Sequence, residues 1–310
     1  MFLILIIHGN IKLPKSRILR KKLESNSIVK VGGAFDAMSA KLVETSGFDA
    51  VWAGSFAISV THALPDASIL TMTEFFEAAS SMASTCEIPI IADCDTGYGG
   101  PSNVTHMIKK YESAGISSIC IEDKTFPKQN SLLENGKNDL LSEKEFVAKI
   151  LAAKQTRNDK DFLIMARVEA LISGAGMNEA LKRATAYENA GADPILIHSK
   201  QKTPDEIFEF ADSWKGSVPI VVVPTTYDSV KISDLSLHNI KMIIFANQTL
   251  RVSHLAMTKL LREMIDTEHI STIEQEMSTM QDIFNLQEMY DIKSKEKKLE
   301  EELKKLGYIN

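Results

Sequence analysis

Two carboxylates separated by one residue, Asp93 and Asp95, follow the apolar run Pro89-Ile90-Ile91-Ala92 in the stretch IIADCDTG. A short apolar run bounded by Pro and Gly reads as a strand buried on both faces. Side chains two apart on a strand share a face, so both acids would leave its C-terminal end side by side. In a dry site they would raise each other's pKa unless a cation lay between them. Mg2+ suits that role: it takes oxygen ligands, keeps several waters and commonly uses one or two carboxylates with substrate oxygens. The same residues also make an ordinary turn, because Asp and Gly are common turn formers. The stretch by itself leaves both readings open.

The rest of the chain supplies a setting for these acids. Short apolar runs recur at 29–35, 50–56, 89–95, 117–123, 162–168, 194–198, 219–224 and 242–247. Amphipathic segments at 36–46, 73–86, 102–114, 143–155, 178–190 and 204–214 lie between them. Thr73 and Ser142 stand where helix N-caps are expected, and Gly47, Gly115 and Gly191 follow last turns. Eight strands alternating with helices predict an α/β fold of the (β/α)8 TIM barrel type, since consecutive parallel strands need crossover helices. A doubly wound open sheet is the alternative, but Gly32-Gly33 lies within a strand and lacks the full GxGxxG phosphate fingerprint.

Barrel enzymes carry their chemistry at the C-terminal strand ends. Here those ends hold Ser55 and Phe56, Asp93 and Asp95, Glu122 and Asp123, Arg167 and Glu169, His198, Pro224-Thr225, and Asn247. Acids after the third and fourth strands suit a divalent cation, while Arg167 and His198 suit an anionic substrate held against it. Singly, each has a plain structural role open to it. Glu122 and Arg167 would make a buried ion pair, and His198 a satisfied core histidine. Their convergence on one predicted mouth favours a site.

The 310 residues are 44% hydrophobic and 25% charged with a net charge of -6. That composition fits a soluble globular protein. It argues against nucleic-acid binding, and no basic stripe interleaved with aromatics appears. Cys86, Cys94 and Cys120 have no CxxC spacing and suit reduced thiols in a cytoplasmic protein. The apolar stretch 2–7 is too short for a membrane span, and the basic run 12–22 follows it rather than preceding it as in a signal peptide. Residues 1–22 are therefore assigned to an N-terminal extension, 23–270 to the barrel, and 271–310 to C-terminal helices with a charged tail.

Five stretches, GAFDAMSA, DCDTGYGG, IEDKTFPKQNS, ARVEA and ILIHSK, together resemble the phosphoenolpyruvate mutase and isocitrate lyase superfamily, and its mutase branch most closely. The resemblance runs from Val29 to beyond Asn247. It implies a (β/α)8 barrel whose last helix is exchanged with a neighbouring subunit, in homodimers or homotetramers. It also implies Mg2+-dependent conversion of phosphoenolpyruvate to phosphonopyruvate, a phosphoryl group passing from oxygen to carbon within one small-molecule substrate. Asp93 then matches the direct magnesium ligand, and Asp66, Asp95 and Glu122 the acids holding the metal's waters. Arg167 and His198 match the groups that contact the moving phosphoryl. Lys128, Asn130 and Ser131 match members of a gating loop at 124–141. Where mutases often have Trp-Gly-Ser-Gly-Leu this chain has Trp52-Ala53-Gly54-Ser55-Phe56, so Gly54, Ser55 and Phe56 are the candidates to bind the substrate carboxylate.

Phosphoryl transfer through a loose, metaphosphate-like arrangement asks a protein for positioning, charge and dryness more than for a nucleophile. A loop longer than ordinary connections fits a lid. The lyases of the superfamily carry a cysteine in a KxCGH-type motif here, whereas this chain reads Lys128-Gln129-Asn130-Ser131, so lyase chemistry is not expected. Phosphonopyruvate hydrolase shares most of the pocket and typically has threonine at the Asn130 position. An asparagine amide can hold a phosphoryl oxygen, which favours rearrangement over hydrolysis. A barrel retained only as a binding or assembly module would be expected to have lost one of Asp93, Asp95, Glu122, Arg167 or His198. Beyond the barrel, 250–265 and 273–290 carry Leu255, Leu261, Met264, Met280 and Phe284 among other apolar residues at helical spacing. Such a stripe is a packing face, which the resemblance assigns to a subunit interface.

Overall fold

The computed structural model describes residues 13–274 and 277–309, so the apolar stretch 2–7 lies outside the described residues. Eight strands close a parallel barrel in sequence order. They are β1 Val29–Ala34, β2 Ala50–Ala53, β3 Ile90–Asp93, β4 Ser118–Glu122, β5 Leu163–Val168, β6 Ile195–Ile197, β7 Ile220–Val222 and β8 Ile240–Phe245. The helices of the first half are α1 Lys15–Glu24, α2 Ala37–Thr45, α3 Ser55–Thr61, α4 Met72–Thr85 and α5 Pro101–Ser113. Then come α6 Glu143–Thr156, α7 Ala170–Ser173, α8 Met177–Ala190, α9 Asp205–Ser213 and α10 Ile232–Leu237. The last four are α11 Gln248–Asp266, α12 Ile270–Glu274, α13 Met280–Leu286 and α14 Met289–Lys305.

Strand parity organises the molecule. Outward residues such as Ile90, Ile119, Ile164 and Ile195 pack under the helices with Met82, Tyr111, Phe146 and Tyr187. Inward residues Val31, Trp52, Ile91, Cys120, Met165, Leu196, Val221 and Met242 fill the barrel's interior. Burial on both faces explains why the strands read as continuous apolar runs rather than as alternation. Leu19 and Leu23 of α1 join the inner cluster beside Val29 and Leu163, which begin their strands. That helix crosses the boundary assigned at residue 22 and contributes to the barrel's core. At the β1–β8 closure Gly33 is demanded by contact, since a Cβ there would lie 2.2 Å from the Ala246 carbonyl oxygen.

Local signals place the helices. Ser142 caps α6 in a capping box with Glu145. The cap of α4 is Thr71 rather than Thr73, because Glu74 completes the box three residues after Thr71. Gly47, Gly115 and Gly191 adopt positive φ of 84°, 77° and 106° after helix ends. Two strands stop earlier than their apolar runs suggest. β2 ends at Ala53 because Gly54 caps α3, which starts at Ser55. β3 ends at Asp93, and Asp95 takes a φ of +50° in the following turn.

The chain divides into two compact units, one reaching Leu250 and the other running from Arg251 to Asn310. In the second unit α13 is capped by Thr279 with Asp282, and the Tyr290 hydroxyl donates to Gln281 Oε1 at 2.8 Å. No helix among the described residues is long and apolar enough to cross a membrane.

Candidate active site

The inward parity that fills the barrel changes chemistry at its C-terminal end. Two residues beyond Ile91, Cys120, Met165 and Leu196 stand Asp93, Glu122, Arg167 and His198. The register sets Glu122 beside Arg167 on neighbouring strands, with Arg167 Nε 3.4 Å from Glu122 Oε2.

Asp93 is held from two sides. Its Oδ2 accepts from the Ser55 hydroxyl at 2.8 Å and the Ser55 amide at 3.3 Å, while Oδ1 accepts from the Asp95 amide at 3.3 Å. The expectation that strand alternation carries Asp95 to the same face is corrected here. The strand has ended, and a left-handed turn brings Asp95 round. The turn is anchored by the Glu122 amide on the Asp95 carbonyl at 2.8 Å and by Lys149 Nζ of α6 on the Thr96 carbonyl at 2.7 Å.

The loop between β4 and α6 covers this cluster. Its ends are stitched by the Thr125 amide on the Asp139 carbonyl and the Leu141 amide on the Asp123 carbonyl. From it Lys128 Nζ reaches Asp66 Oδ1 at 2.7 Å and Asp95 Oδ1 at 3.0 Å. Asn130 Nδ2 donates to Asp66 Oδ2 at 2.7 Å, and the Lys128 amide donates to the Ser68 hydroxyl at 3.0 Å. Asp66 and Ser68, on the connection between α3 and α4, are thus where the loop docks. Burial opposes the Lys128 ammonium, but attraction to Asp95, Glu122, Asp66 and Asp93 outweighs it and holds its pKa well above the ordinary lysine value. Asp95 is pushed up to about 7, chiefly by burial, with Lys128 opposing and Asp93, Asp66 and Glu122 adding repulsion.

The other half of the mouth is a cradle built around Arg167. Arg167 donates from Nε to Glu169, from Nη2 to the Ser131 hydroxyl at 3.1 Å, and approaches His198 Nδ1 at 2.8 Å. Glu169 also accepts from Ser131 at 2.8 Å and lies 3.0 Å from His198 Nδ1. Burial and then Arg167 push the His198 pKa down, against Glu169. Arg167 can only donate and Glu169 can only accept, so the proton on Nδ1 decides which of the two is bonded to the ring. Glu169 is held well below the usual carboxylate range, because Arg167 and His198 together outweigh its burial.

Among the proposed carboxylate binders, the Gly54 amide donates to Ala34 O at 3.4 Å and Ser55 is committed to Asp93. Phe56 occupies the second position of α3, where a helix leaves the amide without an intrahelical acceptor. Sequence pattern assigns no role to Glu169 or Lys124. Glu169 holds Arg167, His198 and Ser131 together; its signal was its position two after Arg167. Buried Lys124 lies 3.8 Å from Glu169 and 3.9 Å from Glu122, and its place directly after two acids was the only hint.

Among the described residues no three His, Cys, Asp or Glu side chains converge as a ready metal cage. The donor set nonetheless fits Mg2+, which is seldom held by a dedicated all-protein cage. Asp95 Oδ1 and Glu122 Oε1 are buried without hydrogen-bond partners, the contact of the former with Lys128 being electrostatic and outside hydrogen-bond geometry. Asp93, Asp95, Glu122 and Asp66 are all oxygen donors. A folded-state pKa above the unfolded value means that ionising Asp95 costs stability as pH rises toward about 7 in the absence of metal. Added Mg2+ should therefore raise the thermal unfolding temperature, and the increment should grow as pH passes through that value. A pH-independent increment, or none, would contradict the metal assignment.

Comparison with known proteins places the chain among relatives of similar sequence and fold. The phosphoenolpyruvate phosphomutase family model matches residues 19–265. The chain is 42% identical over 276 residues to the phosphonopyruvate hydrolase of Variovorax sp. (strain Pal2), covering 89% of this chain and 95% of that one. It is 39% identical over 284 residues to the phosphoenolpyruvate phosphomutase of Tetrahymena pyriformis, covering 92% and 95%. Among solved structures, the phosphoenolpyruvate phosphomutase from Streptomyces platensis subsp. rosaceus superposes with a TM-score of 0.89 at 41% identity, covering 91% and 98%. A phosphonopyruvate hydrolase in complex with oxalate and Mg2+ superposes at 0.86 and 40% identity with the same coverage.

Proposed function

We propose that this chain, which belongs to the phosphoenolpyruvate phosphomutase family, interconverts phosphoenolpyruvate and 3-phosphonopyruvate. The observation that carries this reading is the β4–α6 loop, which engages both halves of the site: Lys128 and Asn130 on Asp66, Ser131 on Arg167 and Glu169. A roofed site suits rearrangement, because a phosphoryl group in transit that meets water ends as phosphate. Asp93 would hold Mg2+ directly, with Asp66, Asp95 and Glu122 on its waters. When bound, the ion supplies Lewis-acid stabilisation of negative charge on the pyruvoyl end of the substrate. Arg167 and His198 would grip the phosphoryl oxygens while the P–O bond breaks and the P–C bond forms. No proton and no protein nucleophile are consumed, so the contribution is positioning and charge.

A second reading is phosphonopyruvate hydrolysis, favoured by the 42% identity to the Variovorax enzyme. Phosphorus NMR of the protein with phosphonopyruvate and Mg2+, repeated with EDTA, separates the two. Phosphoenolpyruvate as product supports the mutase; phosphate with pyruvate replaces it by the hydrolase. No metal-dependent change returns the barrel to a binding or assembly role.

The assembly belongs to the same proposal. In α11, Val252, Leu255, Leu261 and Ile265 are 61%, 69%, 60% and 85% exposed, apolar surface that exchange of this helix between subunits would cover. Sedimentation of the wild type should give a dimer or tetramer, and Leu255→Asp combined with Leu261→Asp should give monomers. A monomeric wild type would remove the exchange. The three buried free cysteines fit the proposed cytoplasmic setting.

A further inference from the structure

Behind the Arg167–His198 cradle lies a second polar network that the reaction itself does not touch. Asp123 follows Glu122 at the end of β4 and is completely buried. Its Oδ1 accepts from the Glu169 amide at 2.9 Å, and its Oδ2 accepts from the Tyr187 hydroxyl at 2.6 Å and Arg183 Nη1 at 3.0 Å. Arg183 and Tyr187 stand one helical turn apart on α8, with Arg183 Nη1 also 3.1 Å from the Tyr187 hydroxyl. The backbone of Asp123 donates to the Arg167 carbonyl and accepts from Leu141, where the loop over the site ends. One residue therefore touches β5, the loop's exit and the backbone of the carboxylate that holds the cradle.

We propose that Asp123, clamped by Arg183 and Tyr187, is a positioning residue that fixes Glu169 and, through it, the Arg167 guanidinium and the His198 ring. The inference rests on the reading of the cradle as the phosphoryl-holding group. The geometry favours a positioning role over a merely stabilising ion pair. A pair serving stability alone has no need to spend one carboxylate oxygen on the amide of Glu169, whose side chain binds both cradle residues.

Tyr187→Phe removes one hydroxyl and keeps the ring packed at 4.6 Å from Phe146; Arg183→Met removes the other donor. In phosphonopyruvate turnover each should lower kcat about tenfold while KM changes by less than about twofold. The phosphate-to-phosphoenolpyruvate ratio should rise, and the ring 15N resonances of His198 should shift. Variants that melt earlier but keep wild-type kcat, product ratio and His198 resonances would overturn the proposal. A wild type yielding only phosphate would refute the rearrangement while kcat and the ring resonances still tested the brace. A wild type without turnover would leave the ring resonances to decide it. If Arg183→Met does not fold, Tyr187→Phe carries the test alone.

Discussion

Asp93→Ala abolishes phosphonopyruvate turnover in the presence of Mg2+, by roughly a thousandfold or more, while unfolding remains a single cooperative transition. Two opposing local effects keep the fold. The Ser55 hydroxyl and amide lose their acceptor, which costs about 1–3 kcal/mol when such donors stay buried. One of four mutually repelling carboxylates disappears at the same time, which relieves Asp95 and offsets part of that loss. The measurement is product formation by phosphorus NMR beside thermal unfolding with and without Mg2+. The variant should also lose most of the metal-induced rise in unfolding temperature. Normal turnover would refute the assignment of Asp93 as the direct ligand. Lost turnover with an undiminished thermal response would move the metal onto Asp95 and Glu122.

Parity is what made the barrel and its mouth legible. Runs such as Ile90-Ile91-Ala92 announce strands buried on both faces, and at the ends of β3, β4, β5 and β6 the first polar residue stands two after an inward one and so shares its face. Asp93, Glu122, Arg167 and His198 all obey that rule. It breaks where the strand ends early. Asp95 reaches its partners through a left-handed turn, and the amide of Gly54 is spent on Ala34 before any substrate arrives. Lys149 was hidden in an ordinary amphipathic helix, because nothing in a helical pattern tells that one lysine will reach a carbonyl 53 residues away. Helix α1 was obscured by the basic residues flanking Leu19 and Leu23, whose burial depends on a barrel end that only the closed fold creates.

Asn130→Thr shifts the outcome of turnover from phosphoenolpyruvate toward phosphate and pyruvate. Asparagine was expected to hold a phosphoryl oxygen; in the structure its amide donates to Asp66 Oδ2 and its Oδ1 accepts from the Leu132 amide at 3.0 Å. The same side chain thus ties the loop to the acidic half of the site and shapes the loop's own turn. Threonine is shorter, with a single hydroxyl in place of a carbonyl and an NH2, and cannot span both contacts. Lys128 would still bind Asp66, so the loop would remain docked but looser, and water would enter beside the phosphoryl group. The share of phosphate should rise by about tenfold, the order expected when one well-placed hydrogen bond is lost. Total consumption of phosphonopyruvate should fall less. Phosphorus NMR of both products over one time course reads the partition directly. An unchanged partition would assign the exclusion of water to Lys128 and Ser131. A fall in both products together would make Asn130 a determinant of loop docking alone.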